Sequence, residues 1–433
     1  MGMTLTEKIL ANRAGLEEVK PGDLIIAKID IAMATDISSP LTIKVFEEMG
    51  GEHVFDPEKV PLVHDHLVPA KDIKSAEFSK MMRHFAREQE IKYYYEVGRS
   101  GISHQLLPEQ GLIHPGDVVL GADSHSTNYG ALGCFATGVG STDMAAAWVL
   151  GETWLRVPES IRITFVGTPP DWISAKDMML LVCRDLGIEG GTYKALEFGG
   201  PAVEAMPMYD RFVFANMTIE CGGKNGVVKA DAVTREFLQG RAKKPEEEWL
   251  FFEPDADAVY SRELTYDVTE LQPMVAKPNL PGNVVPVSEV EPVPVDEVYI
   301  GSCTNGKIED LRIAAKVLKG HKINDRLRMV VVPATEQIYH QMLQEGLAEV
   351  FHQAGASIGP PTCGACFGAH MGVLAEGEVG VFTTNRNFVG RNGHTSAKVY
   401  LVSPAVAAAT AIKGIITDPR EIVNYSFRQK GIN

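Results

Sequence analysis

Along this chain a short apolar run repeatedly ends in a polar, glycine-containing loop and then opens a helix. VDEVYIGSCTNG (295–306) leads into KIEDLRIAAKVLKG, and RLRMVVVPA leads into a helix expected from about Thr335 to Gln353. DVVLGADSH (117–125), SIRITFVG (160–167) and EVGVFTTN read as further strands, and VSPAVAAATAIKG as a small-residue helix. This alternation predicts an α/β fold with helices packed on mostly parallel sheets. Ligands of such folds collect beyond the carboxyl ends of the strands. The unusual polar motifs of this chain follow strands or sit in glycine-rich loops, where such ligands would meet them.

At 433 residues the chain exceeds one simple core, and length alone suggests roughly two to four domains. MVAKPNLPGNVVPVSEVEPVPVDE (274–297) is rich in Pro and Val and reads as a linker. With a weaker break near 157–160, the expected domains are 1–158, 159–288 and 289–433. The opening MGMTLTEKIL has no signal-peptide layout. Gly2 and Thr6 fit a loose myristoylation pattern, but Thr4 and Glu7 read better as a helix capping box. No apolar run is long enough to span a membrane. Six cysteines without a secretory signal suggest a reducing, cytoplasmic setting. A net charge of −15 argues against a nucleic-acid binder. It leaves room for a small anionic substrate, because a few arginines can build a local positive pocket.

PTCGACFGAH places Cys363 and Cys366 three apart, with Gly364 and Gly368 beside them. The pair alone is compatible with a redox dithiol, half a zinc site or iron–sulfur ligation. Pro361 and the glycines suggest a wrapped loop. Cys303 in GSCTNG stands where a strand runs into a helix, a setting that favours a thiolate. Three thiolates from two loops suit a cubane cluster with one iron lacking a protein sulfur, and such an iron can act as a Lewis acid. Cys183 lies in the helix pattern SAKDMMLLVCRDLG, capped by Ser174, and reads as core. Cys134 and Cys221 show no ligand spacing.

A set of histidines and carboxylates accompanies the sulfurs. VHDHLVPA holds His64, Asp65 and His66, GRSGISHQLLPE holds His104, and GADSHSTNYG holds Asp123 and His125. Asp–His pairs fix a tautomer and tune proton transfer. TTNRNFVGRN carries Asn385, Arg386 and Arg391 after a strand, and the guanidinium fork suits carboxylates. ANMTIECGGKNG carries Asn216 and Glu220 on a short turn.

Taken together and in this order, VHDHL, GADSH, GSCTNG, PTCGAC and NRNFVGRN resemble the aconitase superfamily, from about Asp30 to Pro419. The likeness is strongest to the large subunits of its two-subunit dehydratases. It implies three aconitase-like α/β/α domains with mostly parallel sheets around a central cluster site. It also implies one 4Fe-4S cluster per subunit on Cys303, Cys363 and Cys366. Catalytic roles are implied for Asp65, His66, His104, Asp123, His125 and Glu220, and substrate-binding roles for Asp36, Ser38, Asn216, Asn385, Arg386 and Arg391. The expected reaction is dehydration and rehydration of a small hydroxy di- or tricarboxylate. Isopropylmalate, homoaconitate, citramalate and 2,3-dimethylmalate share its reacting core. The family's swivelling fourth domain is absent from this sequence, so a separate small subunit is the implied partner and source of the base. Ser126-Thr127-Asn128 departs from the Thr-Cys-Thr common in such dehydratases. Readings from other classes are a cluster-free RNA-binding protein and a CxxC dithiol redox protein.

Overall fold

A computed structural model describes residues 2–423 of the chain; the closing segment 424–433, where the third domain was expected to end, lies outside the described residues. The chain divides into two compact units, Met1–Phe165 with Glu189–Tyr266, and Val166–Ile188 with Asp267–Asn433. The boundary expected near 158 falls inside the first unit, and the one near 288 inside the second.

The first unit begins with a helix, Leu5–Ala14, and its Thr4–Glu7 capping box forms as the sequence suggests. A two-stranded antiparallel ribbon follows, made of β1 (Leu24–Lys28) and the later β7 (Glu152–Arg156). Between them lie β2 (Ile31–Thr35), β3 (Leu62–Val63), β4 (Tyr94–Tyr95), β5 (Val118–Gly121) and β6 (Phe135–Gly138). These five form a wholly parallel sheet in the order β4-β3-β2-β5-β6. The run IAMAT of β2 is buried throughout, as befits a central strand covered on both faces. One face packs on Phe46, Phe85 and Trp148, and the other on Leu106, Leu107 and Tyr129. Trp148 stacks on Phe85 at 5.3 Å and its indole N–H donates to the Ala32 carbonyl at 3.0 Å. A second sheet in this unit has the order β10-β9-β8-β11, with β8 (Ser160–Val166), β9 (Ala195–Gly199), β10 (Asn225–Val228) and β11 (Arg262–Asp267).

The second unit is built on one seven-stranded sheet. Its strands are β12 (Met274–Ala276), β13 (Val284–Pro286), β14 (Glu297–Ile300), β15 (Arg328–Val331), β16 (Ser357–Ile358), β17 (Val379–Phe382) and β18 (Lys398–Leu401). Their order is β13-β12-β18-β17-β14-β15-β16, with β14 to β18 parallel and β12 and β13 antiparallel. The proline-rich stretch expected to be a linker therefore supplies two strands to the sheet. Its prolines do not obstruct this: Pro286 ends the edge strand β13, and Pro278 and Pro281 lie in the turn before it. The single helix expected from Thr335 to Gln353 is two, Glu336–Gln344 and Leu347–Ala354. Gly346 separates them at φ 72°, a left-handed conformation in which the helix cannot continue. The helix Ala175–Leu186 starts after Ser174, whose backbone N–H donates to Asp177 at 2.9 Å. Cys183 is buried in it, as the helix pattern implied. Among the described residues no helix is long and apolar enough to cross a membrane.

Both parallel sheets have a reversal point. In the first unit the chain builds outward from β2 through β3 and β4, then returns to the other side of β2 for β5 and β6. In the second it builds from β14 through β15 and β16, then returns for β17 and β18. Loops leaving the carboxyl ends of two strands that diverge in this way open a crevice.

Candidate active site

In the first unit Asp36 and Asp65–His66 follow β2 and β3, His104 lies on the helix Ser103–Glu109 after β4, and Asp123 after β5 caps the 3-10 helix Ser124–Leu132 that carries His125. Apart from Asp36, their side chains together with Glu220 form a run of alternating carboxylates and imidazoles. Asp65 Oδ1 lies 2.6 Å from His66 Nδ1, and His66 Nε2 lies 3.4 Å from Asp123 Oδ2. Asp123 Oδ1 meets His104 Nε2 at 2.7 Å and accepts from the His125 backbone N–H at 2.8 Å. His125 Nε2 lies 2.8 Å from Glu220 Oε1. Burial works to raise the Asp123 carboxyl, but His104, His125 and His66 hold it well below its ordinary value. Asp65 is likewise opposed by burial, and His66 with the Ser103 N–H brings it below the usual range. Such a chain can hold and pass a proton while fixing each ring's tautomer.

Asp36 holds this loop in shape. Its Oδ1 accepts from the backbone N–H groups of Asp65 (3.1 Å) and His66 (2.9 Å), and its Oδ2 from that of Leu67 (2.7 Å). Both oxygens of this expected substrate ligand are thus engaged by backbone. Ser38 accepts from the Thr35 N–H at 3.0 Å just before the helix Ser39–Glu48. Asn216 is buried near the end of the helix Met208–Met217, and its carbonyl accepts from Thr127 at 3.4 Å. Glu220 stands on the 3-10 turn Thr218–Cys221. The structure adds Tyr129, 3.3 Å from His104 Nδ1, and gives Asn128, noted in the sequence only as a departure from the family pattern, a hydrogen bond to the His104 carbonyl at 2.7 Å. Both lie in the same glycine-flanked run as His125, the signal that could have found them.

In the second unit Cys303 sits on the helical turn Ser302–Asn305 after β14. Ser302 opens that turn at φ 80°, a strained conformation for a residue with a side chain. Cys366 lies on a second short helical turn, Gly364–Phe367, which Cys363 caps, where a wrapped loop was expected. All three cysteines are buried. The loop after β17 carries Asn385, whose amide N–H donates to Cys303 Sγ at 3.4 Å and whose amide oxygen accepts from Cys366 Sγ at 3.7 Å. It also donates to Thr304 Oγ1 at 3.0 Å. Arg386 and Arg391 are half-buried in the same segment. The Arg391 guanidinium lies 5.7 Å from the Phe367 ring centroid, and its buried Nε has no acceptor among the described residues. A Cβ on Gly368 would meet the Arg391 carbonyl at 2.3 Å, so glycine is required for this close approach. Asn392, also passed over in the sequence, ties the two loops by donating to the Ala365 carbonyl at 3.0 Å.

The cysteine set suits a thiolate-held cluster. Hydrogen bonds to its sulfurs are a normal part of such sites, and the Asn385 amide N–H gives one to Cys303. The Tyr299 and Thr384 hydroxyls are buried without a partner among the described residues, leaving two more donors unused. Burial and the sulfurs of Cys366, Cys363 and Cys303 push the Tyr299 phenol well above its ordinary pKa.

Comparison with known proteins agrees with this chemistry. The model of the aconitase family (aconitate hydratase) matches residues 7–414. The 3-isopropylmalate dehydratase large subunit of Syntrophus aciditrophicus is 54% identical over 422 residues, 98% of this chain and 100% of that one. Its counterpart in Moorella thermoacetica is 52% identical over 423 residues, again 98% and 100%. The large subunit 1 of Pyrococcus furiosus is 50% identical over 424 residues, 98% and 99%. A solved structure, the holo-form of Thermococcus kodakaraensis aconitase X, is similar at 13% identity and a TM-score of 0.48, covering 91% of this chain and 93% of that one. With a family match and relatives that run almost from end to end, this chain belongs to the aconitase family, whose 4Fe-4S cluster its three cysteines fit.

Proposed function

We propose that this chain is the cluster-bearing large subunit of a 3-isopropylmalate dehydratase, a hydro-lyase of leucine biosynthesis. The carrying observation is its full-length identity of 50–54% to large subunits of that name. The partner is then a small subunit bearing the swivelling domain and the base. A cytoplasmic location belongs to the same reading, supported by six cysteines that form no disulfide among the described residues.

Cys303, Cys363 and Cys366 would hold the cluster, with one iron left without a protein sulfur. The chemistry such a group supplies is Lewis-acid polarisation of hydroxyl and carboxylate oxygens. His66, fixed by Asp65, delivers a proton to the departing hydroxyl, which leaves as water. Asp123 keeps His66, His104 and His125 oriented, and Glu220 with His125 positions water for readdition. Arg386 and Arg391 bind carboxylate groups of the substrate and fix its orientation. The partner's base takes the hydrogen from the neighbouring carbon as the double bond forms. Water then returns with hydroxyl and hydrogen exchanged, which yields the isomer.

The test is anaerobic reconstitution with iron and sulfide, addition of the small subunit, and comparison of kcat/KM on 3-isopropylmalate, homoaconitate, citramalate and 2,3-dimethylmalate. We expect brown protein containing both elements, a preference for 3-isopropylmalate, and loss of the cluster in Cys303→Ser, Cys363→Ser and Cys366→Ser. Stoichiometric zinc without sulfide, or a clear preference for another acid, overturns the reading.

A further inference from the structure

Lys176 has no role in the reaction described above, yet its placement is unusual. It lies on the apolar stripe of the helix Ala175–Leu186 with Met179, Leu180 and Cys183, and like them it is buried, at 0% exposure. Lysine is almost never found so deep unless paired. Its Nζ donates to the backbone carbonyls of Thr384 (2.5 Å) and Thr383 (3.2 Å) and makes no ion pair among the described residues. Asp177, next in sequence, is turned to other work: it accepts from the backbone N–H groups of Ser174 and Met274, both at 2.9 Å. The nearby Lys307 differs, because its buried ammonium has a carboxylate of its own in Asp310 at 3.3 Å.

The two threonines that Lys176 holds open the loop after β17, immediately before Asn385, the residue that contacts Cys303 and Cys366. Burial lowers the ammonium's pKa to about 8, while the sulfurs of Cys183 and Cys366 act in the opposite direction. The group therefore still carries its proton at neutral pH. An ammonium taken out of water without a counter-charge is strongly disfavoured. The fold accepts this within electrostatic reach of Cys366, one of the three cysteines that would carry negative charge.

We propose that Lys176 is a positioning residue of the cysteine site: its unpaired ammonium offsets the negative charge of the thiolates and bound cluster, and its two hydrogen bonds fix the backbone that aims Asn385 at the sulfurs. This rests on the reading that Cys303, Cys363 and Cys366 hold a 4Fe-4S cluster. A positive charge there favours the reduced cluster and slows its loss, and in apoprotein the same charge is a burden.

The experiment compares wild type, Lys176→Met and Lys176→Gln, each as full-length apoprotein and after anaerobic reconstitution. The readouts are Tm in both states, the cluster's midpoint potential, and its half-life under a chelator. In Lys176→Met we expect an apoprotein Tm unchanged or raised, a more negative potential, and cluster loss faster by about tenfold, the scale of one charge interaction at a partly screened distance. Lys176→Gln keeps a donor for the two carbonyls without the charge. It should share the shifted potential, and it carries the test if the methionine variant does not fold. An equal drop in Tm with and without cluster, or an unaltered potential and half-life, overturns the proposal. Failure of both variants to fold as apoprotein also overturns it, because Lys176 would then serve the fold alone. If wild type takes up no cluster, the functional reading itself falls and takes this inference with it.

Discussion

At the scale of single residues, two aspartates of the first unit do different work. Asp36 takes three backbone N–H groups of the 65–67 segment. Asp36→Ala would leave these donors buried without an acceptor and should destabilise the protein by about 3 kcal/mol or more, seen as a lower denaturant midpoint. A direct substrate ligand would instead raise KM with the midpoint intact. Asp123 joins three histidines and has a pKa well below its ordinary value despite its burial. On acidification the unfolded chain therefore binds this proton first. The carboxylate's contribution is present in full above the unfolded value of about 4 and is lost as pH falls through the folded-state pKa. Asp123→Asn removes that component, so its Tm should fall less steeply than wild type between about pH 5 and pH 3. The same substitution should lower kcat by about a hundredfold to ten-thousandfold, the range for a proton-transfer group. The sequence picked out Asp123 because Asp–His neighbours are visible in a string, and Asp36 through the family resemblance. It could not tell the scaffold from the relay, because Asp36 is engaged by residues 29 to 31 positions away.

At the scale of elements, local signals were reliable wherever the stabilising partner lay within a turn or two. The Thr4–Glu7 box, the start of the helix after Ser174 and the strands ahead of the GADSH and GSCTNG loops all stand where periodicity and caps put them. The divided helix near Gly346 and the paired strands at 274–286 were missed. Both depended on what lies alongside: β12 finds a ready edge in β18, which no local composition announces. Gly346 gives a direct check. A Cβ there would meet nothing within 4 Å, so Gly346→Ala should lose only the cost of the left-handed backbone, about 1–2 kcal/mol. Equilibrium unfolding reads this, and a neutral result would mean that the helix can run on through the break.

For the whole molecule, a group that binds the folded chain and not the unfolded one stabilises it by mass action. If the three cysteines hold the cluster, reconstitution should raise amide-exchange protection in the loops carrying Cys303, Cys363–Cys366 and Asn385. Unchanged protection in a fully loaded sample would count against cluster binding at those positions. The sequence by itself determined the α/β class, the cysteine set, the histidine–carboxylate set and the loops that bear them. Each is written in residue types and short spacings, and the strand period and helix caps act within a few positions. Tertiary structure alone decided which carboxylate is scaffold, that a proline-rich stretch becomes two strands, and that Lys176 is buried against carbonyls 207 and 208 residues away. Those outcomes depend on desolvation and on hydrogen-bond acceptors that exist only once distant segments have come together.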